Sequence, residues 1–127
     1  MYSDKVKRLV SELPNSGRLT VFTNYSRVEN PICGDVVSLY VVVDQGNIRD
    51  CRFLAQGCAA AIASAAAVTL VCTGKPVSES LRLQAEDIIR YLEGLPPHKR
   101  HGAELAIEAL RKSLTAREGS GRSELND

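Results

Sequence analysis

The feature that most constrains the fold is an alanine-rich segment from Cys58 to Cys72, in which nearly every residue is apolar or small. A helix that is apolar on all sides has no face suited to water, so other elements must cover it. At 15 residues the segment is too short to cross a bilayer comfortably. We therefore expect a buried central helix that ends near Gly74, with the rest of the chain packed around it.

Three segments that precede this helix have the composition of β-strands. Arg18–Glu29 is rich in Thr, Val, Phe and Tyr, Asp35–Asp44 is almost wholly apolar, and Asn47–Ala55 alternates between apolar and polar residues. The turn at residues 44–47 contains a glycine, which favours a tight hairpin. The short connections between the segments predict an antiparallel meander of three strands.

The remaining periodic segments predict helices. Met1–Leu13 has helical apolar spacing and a cap at Ser3, residues 76–94 fit one or two short helices, and a last helix is expected from about His98 to Thr115. Strands followed by helices predict an α+β fold, in which a three-stranded antiparallel sheet packs one face against a layer of about four to six helices. We expect one domain over residues 1–115 and a polar, disordered tail over residues 116–127.

The composition excludes several classes of protein. A net charge of +1, with no Trp and few other aromatic residues, does not fit a nucleic-acid-binding surface. The N-terminus has no apolar signal core, and disulfide scaffolds are usually shorter, richer in cysteine and secreted. We therefore predict a cytoplasmic protein, not bound to membranes, in which the four cysteines are reduced.

Three separate segments carry side chains that bind metal ions. Cys33 and Asp35 lie two residues apart at the start of a strand, where an extended chain directs both to one side and Gly34 allows close approach of the backbone. Cys58 lies at the predicted start of the central helix, where the helix dipole favours the thiolate, the form that binds metal. One hairpin separates it from Cys33, so both lie at the same rim of the sheet. His101 lies opposite the apolar stripe of the last helix and faces something polar or solvent.

Each of these residues also has an ordinary interpretation. A single cysteine is more often a small apolar residue than a ligand, an isolated Asp35 is most often a turn residue, and an isolated His101 is most often a surface histidine. His98 has no motif that supports a ligand role, but it lies within a turn of His101, close enough to substitute for it. Cys51 is expected in the core, because it shares a strand face with Phe53 and Ala55. Cys72 lies about 21 Å along the helix from Cys58 and cannot share its site, so it is expected in the core as well.

Taken together, the motifs resemble the N-terminal scaffold domain of the NifU/IscU family, on which iron–sulfur clusters are assembled. The similarity covers roughly residues 1–115 and rests on Met1–Val6, Asn30–Asp35, Phe53–Cys58, Ala61–Ser64, Val68–Thr69, Gly74–Lys75 and Leu95–His101. The resemblance implies that Cys33, Cys58 and His101 bind a cluster or zinc, and that Asp35 keeps the cluster labile enough to hand on.

The chain departs from this family at Gly102, where the family has a cysteine directly after the histidine. The set that remains comprises Cys33, Cys58, His101 and Asp35, which would hold a [2Fe–2S] cluster or iron with mixed ligands, or Zn²⁺ as the alternative occupant. If the missing thiol is what weakens the site, Gly102→Cys is expected to restore tighter cluster binding.

The resemblance implies a non-enzymatic scaffold that assembles or transiently holds an iron–sulfur cluster and passes it to acceptor proteins. The alternatives are a zinc-dependent sulfur acceptor for a cysteine desulfurase, with sulfurtransferase activity, and a degenerate protein-binding module without metal. The implied partners are a cysteine desulfurase, acceptor proteins and a chaperone that recognises Leu95–Lys99, although His98 stands where an aliphatic residue is usual. A monomer or a weak homo-oligomer is expected, and a cluster shared between chains fits a chain with two ligand cysteines.

Overall fold

The computed structural model describes residues 1–115. Its elements are, in order, α1 (Asp4–Glu12), β1 (Asn24–Asn30), β2 (Asp35–Asp44), β3 (Asn47–Gln56), α2 (Ala59–Cys72), α3 (Val77–Ser80), α4 (Ala85–Tyr91) and α5 (Arg100–Thr115), with a 3₁₀ turn at Pro97–Lys99. The expected α+β class and a helix layer of four to six members are confirmed for this part of the chain. The disordered tail predicted for residues 116–127 lies outside the described residues, and the domain bounds stay a prediction.

The sheet is the predicted antiparallel meander, with strand order β1-β2-β3. Gln45 and Gly46 link β2 to β3 with φ of 54° and 81°, and two successive positive φ angles are the geometry that suits a tight hairpin. A bulge between Val42 and Val43 shifts the register near this turn. The opposite end of the hairpin pairs Val36 with Gln56, so Asp35 and Gly57 come together at one rim of the sheet.

The first strand is shorter than predicted, because it begins at Asn24 and not at Arg18. The Thr23 hydroxyl accepts a hydrogen bond from the Val43 amide at 2.7 Å, and the Phe22 ring lies 5.3 Å from the Tyr40 ring, centroid to centroid. Residues before Asn24 therefore pack across the end and the outer face of the sheet. Tertiary contacts to Tyr40 and Val43 outweigh the strand propensity of this segment.

The central helix is buried as predicted, since ten of the fourteen residues of α2 are buried. It packs against α1, α5 and β3, and the inner face of the sheet contributes Val37, Leu39 and Val41, each 0% exposed. The helix α1 begins after Ser3, whose hydroxyl accepts a hydrogen bond from the Val6 amide at 3.1 Å, as the sequence predicts. Within residues 1–115 no helix has the length and apolar character needed to cross a membrane.

Cys51 on β3 and Cys72 at the end of α2 lie in the core as expected, each 0% exposed, and the sequence did not predict that they meet. Their thiols are hydrogen-bonded, and this bond together with burial raises the pKa of Cys51 well above its usual range. Backbone hydrogen bonds of Ile48 to Gly74 and Lys75 hold the start of β3 against the end of α2.

We expect native protein to be alkylated by iodoacetamide at Cys33 and Cys58, while Cys51 and Cys72 react at least about a hundredfold more slowly. The reactive form is the thiolate, and a raised pKa keeps Cys51 protonated at neutral pH. Peptide mass spectrometry of protein quenched at increasing times measures the four rates, with denatured protein as the control in which all four react. Comparable rates in the native state would contradict the buried thiol pair.

Candidate metal centre

Cys33 lies on a short turn that links β1 to β2. The Asn30 carbonyl accepts a hydrogen bond from the Gly34 amide at 2.7 Å, and the Asn30 side chain accepts from Ile32 at 3.0 Å and from Cys33 at 3.4 Å. Gly34 has a φ of 77° and open space where a Cβ would point, so its role is the positive φ and not the close approach expected from the sequence. The turn leaves the Cys33 thiol exposed.

Asp35 is the buried centre of the group, because its side chain is 3% exposed. A buried carboxylate needs hydrogen-bond partners to offset its lost hydration. One oxygen, Oδ1, accepts from the Cys58 amide at 3.1 Å, and the other, Oδ2, lies 3.2 Å from His101 Nε2. Asp35 thus joins the sheet rim to the starts of α2 and α5.

Gly57 makes room for this carboxylate. A Cβ on Gly57 would lie 2.0 Å from Asp35 Oδ1, and the residue has a φ of 136°, which other residues rarely adopt. The sequence alone does not reveal this role of Gly57. The only sequence signal was that a glycine directly precedes the candidate ligand Cys58. That signal does not show that Asp35, from another strand, lies against the glycine.

Cys58 is the N-cap residue of α2, with φ −76° and ψ 166°, and its side chain makes no capping hydrogen bond. Its Sγ lies 3.8 Å from Asp35 Oδ2. The thiol is half-buried at the start of α2. The predicted position of Cys58 at the start of the central helix is therefore confirmed.

His101 is the second residue of α5, which begins later than predicted because Pro97–Lys99 form a 3₁₀ turn first. Arg100, immediately before it, forms ion pairs with Glu86 of α4 and with Glu104. The hydrogen bond from Arg100 lowers the pKa of Glu86. These contacts fix the start of α5, and His101 points to a polar group, as the helical pattern predicts.

The ligand atoms of Cys33, Asp35 and His101 all lie within 4.8 Å of one another, which makes a three-residue group able to hold a metal ion. Cys58 contacts the same carboxylate at 3.8 Å. The structure thus brings three of the four residues that the sequence indicated into one group, and it places Cys58 beside this group through Asp35. Two sulfurs, one oxygen and one nitrogen form a set that suits a borderline or soft ion such as zinc or iron. His98 is exposed and lies outside this group.

Gly102 is buried where α5 crosses the start of α2. A Cβ on Gly102 would lie 2.8 Å from the Ala60 carbonyl carbon and 2.9 Å from the Ala61 nitrogen, both backbone atoms. Position 102 is therefore not an open place from which a ligand side chain is merely missing. The absent side chain is what allows the two helices to approach so closely.

The comparisons with known proteins agree with this fold. The family model described as NifU-like N terminal domain matches residues 1–121. The chain is similar to iron-sulfur cluster assembly scaffold protein IscU 1 of Archaeoglobus fulgidus, with 37% identity over 114 residues, 90% of this chain and 74% of the relative. It is also similar to the scaffold protein IscU of Aquifex aeolicus, with 35% identity over 115 residues, 89% of this chain and 73% of the relative.

A solved structure also has this fold. The N-terminal part of a nitrogen-fixing NifU-like protein from Brucella abortus matches with a TM-score of 0.71, over 88% of this chain and 90% of that one. The sequence identity is 19%, so this likeness concerns the fold alone.

Proposed function

The chain belongs to the NifU-like N-terminal domain family, and from this premise we propose that it is a scaffold that holds an iron–sulfur cluster transiently and passes it to acceptor proteins. The observation that carries the proposal is the convergence of Cys33, Asp35 and His101 within 4.8 Å, with Cys58 against the same carboxylate. The names of the relatives support the same role. The cluster is cargo and not a resident cofactor.

We assign the thiolates of Cys33 and Cys58 as the principal ligands of the cargo, because iron in these clusters is held mainly by cysteine thiolates. His101 and Asp35 complete the site for a single iron or zinc ion. Asp35 is held by hydrogen bonds to Cys58 and His101, so it can exchange these partners for a metal without a large movement. A carboxylate in place of a thiolate binds a soft ion less firmly, which suits a cluster that must be released.

The proposal assigns the protein no catalytic step of its own. Its partners would be a cysteine desulfurase that supplies sulfur and proteins that accept the finished cluster. Leu95–Lys99, half-buried to exposed, is available for the chaperone contact implied by the family resemblance. A cytoplasmic location belongs to this proposal, because ligand thiols must stay reduced.

Anaerobic reconstitution with iron and sulfide tests the scaffold function. We expect visible absorption from thiolate-to-iron charge transfer, and its transfer to an apo-ferredoxin. The matched controls are Cys33→Ser with Cys58→Ser, which remove both candidate ligand thiols, and Cys51→Ser, which leaves the site intact. Tight zinc binding without any iron–thiolate absorption would overturn the proposal.

Asp35→Ala is expected to lengthen the lifetime of the bound cluster by about tenfold or more, because the carboxylate that can exchange with a thiolate on the iron, and so promote release, is then absent. Asp35→Asn is the control that keeps an acceptor for the Cys58 amide without the carboxylate charge. Decay of the visible absorption in the presence of a chelator measures the lifetime. An unchanged or shorter lifetime in Asp35→Ala would reject the role of Asp35 as the labile ligand.

A further inference from the structure

Two of the four cysteines, Cys51 and Cys72, are not among the candidate ligands. Both side chains are 0% exposed in the core, and their thiols are joined by a hydrogen bond. A buried cysteine usually serves as a small apolar residue. Two that meet can also react with each other, because oxidation of adjacent thiols gives a disulfide.

The path of the chain brings these two thiols to the same level of the fold. From Cys51 the chain runs six residues along β3 to Gly57, a rise of about 20 Å at about 3.3 Å per residue. The fourteen residues of α2 return to Cys72 over about 21 Å at about 1.5 Å per residue. The Gly74 amide donates a hydrogen bond to the Ile48 carbonyl at 2.7 Å, which closes the open end of this strand–helix hairpin. Two legs of equal length, packed against each other, thus place the thiols opposite each other.

The backbone next to both thiols has room to adjust. The bulge between Val42 and Val43 interrupts the ladder of β2 and β3 close to Cys51, and Cys72 is the last residue of α2. A disulfide bond is about 2.05 Å long, so two hydrogen-bonded sulfurs need to approach each other by about 1.5–2 Å more. A bulge and a helix end are positions where a backbone shift of this size disturbs few regular hydrogen bonds.

We propose that Cys51 and Cys72 are an oxidation site, at which hydrogen peroxide forms a reversible disulfide that ties β3 to α2. One sulfur attacks the O–O bond, which gives a sulfenic acid and one water. The second sulfur then attacks the sulfenic sulfur, so that the S–S bond forms, the S–O bond breaks, and the oxygen leaves as a second water with the remaining thiol proton. The two thiols lose two electrons to the peroxide, and a dithiol reductant returns them.

The reaction in the folded protein is slow. The reacting form is the thiolate, and the hydrogen bond to Cys72 together with burial raises the pKa of Cys51. Peroxide therefore reaches the pair when the end of α2 opens locally. This sets the site apart from Cys33, whose thiol is exposed.

The bond would close a loop of about 20 residues, which contains Gly57 and Cys58. Such a cross-link restricts the unfolded chain, so the oxidised protein resists unfolding more than the reduced protein does. Cys58 lies about 21 Å along α2 from Cys72, so its thiol stays free. The disulfide would thus strengthen the frame that carries a candidate ligand, and this inference does not depend on the proposed function.

The double variant Cys33→Ser with Cys58→Ser tests this, because Cys51 and Cys72 are then the only thiols in the chain. It is treated with hydrogen peroxide in the folded state and, separately, during refolding from urea, and catalase ends both reactions. We expect the mass of the intact chain to fall by two hydrogen atoms and both thiols to become unreactive. The midpoint of urea unfolding should rise by about 1 M or more, and dithiothreitol should reverse all three changes.

The matched control adds Cys72→Ala to the double variant and so leaves Cys51 without its partner. It should show neither the loss of two hydrogen atoms nor the higher midpoint. Two free thiols after both treatments, oxidation only to sulfinic acids, or disulfides only between chains would overturn the proposal. A disulfide within the chain that leaves the midpoint unchanged or lowers it would overturn it as well, because such a bond does not tie β3 to α2 in the native fold.

Discussion

Replacing Gly102 with cysteine is expected to destabilise the protein by about 1–3 kcal/mol and to bring no gain in cluster retention. The sequence alone suggests the opposite, because this substitution restores the ligand that the family has there. The structure changes the expectation, since any Cβ at this position would lie within 3.0 Å of Ala60 and Ala61. To relieve this overlap, α5 must move away from α2, and His101 would move with α5.

The matched variant is Gly102→Ala, which adds the Cβ without the thiol. Helix propensity alone would make this change stabilising by about 0.8–1.0 kcal/mol, whereas overlap of the new Cβ with α2 would make it destabilising. The sign of the change in unfolding free energy therefore shows which of the two dominates. Glu108→Cys, at an exposed position of α5, controls for an added thiol. Urea unfolding measures stability, and decay of the visible absorption measures retention. Unchanged stability together with a longer-lived cluster in Gly102→Cys would show that position 102 is an open ligand position.

Replacing Gly57 with alanine is expected to destabilise the protein by about 1–3 kcal/mol from backbone strain alone, and to displace Asp35 from its hydrogen bonds. The new Cβ would overlap Asp35 Oδ1 and lie 3.0 Å from the Asp35 Cα. The Asp35 carboxylate would then lose its hydrogen bond from the Cys58 amide, and the distance between Asp35 Oδ2 and His101 Nε2 would change. We therefore expect both a lower midpoint of urea unfolding and zinc affinity reduced by about tenfold or more.

The control for this variant is Gly17→Ala. Gly17 has a φ of 134°, nearly the same as Gly57, but nothing lies within 4 Å of the position of its Cβ. The Gly17→Ala variant should be destabilised by a similar backbone strain but should keep its zinc affinity, which competition with a chromogenic chelator measures. If both variants bind zinc equally, the contact between Gly57 and Asp35 does not position the ligand.

Much of the fold follows from local pattern. The alanine-rich composition of α2 predicts its burial, and the turn residues of the β2–β3 hairpin predict the pairing that places Asp35 beside Gly57. These predictions hold because burial and turn geometry depend on residues close in sequence. The predicted start of β1 was wrong because Phe22 and Thr23 contact residues of β2, and strand propensity takes no account of such tertiary contacts.

The sequence by itself determined the chemical types of the candidate ligands, since two thiols, a carboxylate and an imidazole are properties of the residues Cys33, Cys58, Asp35 and His101. Only the tertiary structure decided that Asp35 is the buried link between Cys58 and His101, and that Gly102 closes the gap between α2 and α5. The physical reason is that close packing excludes or admits a single Cβ according to atoms from distant parts of the chain, and these distances exist only once the helices and the sheet are assembled.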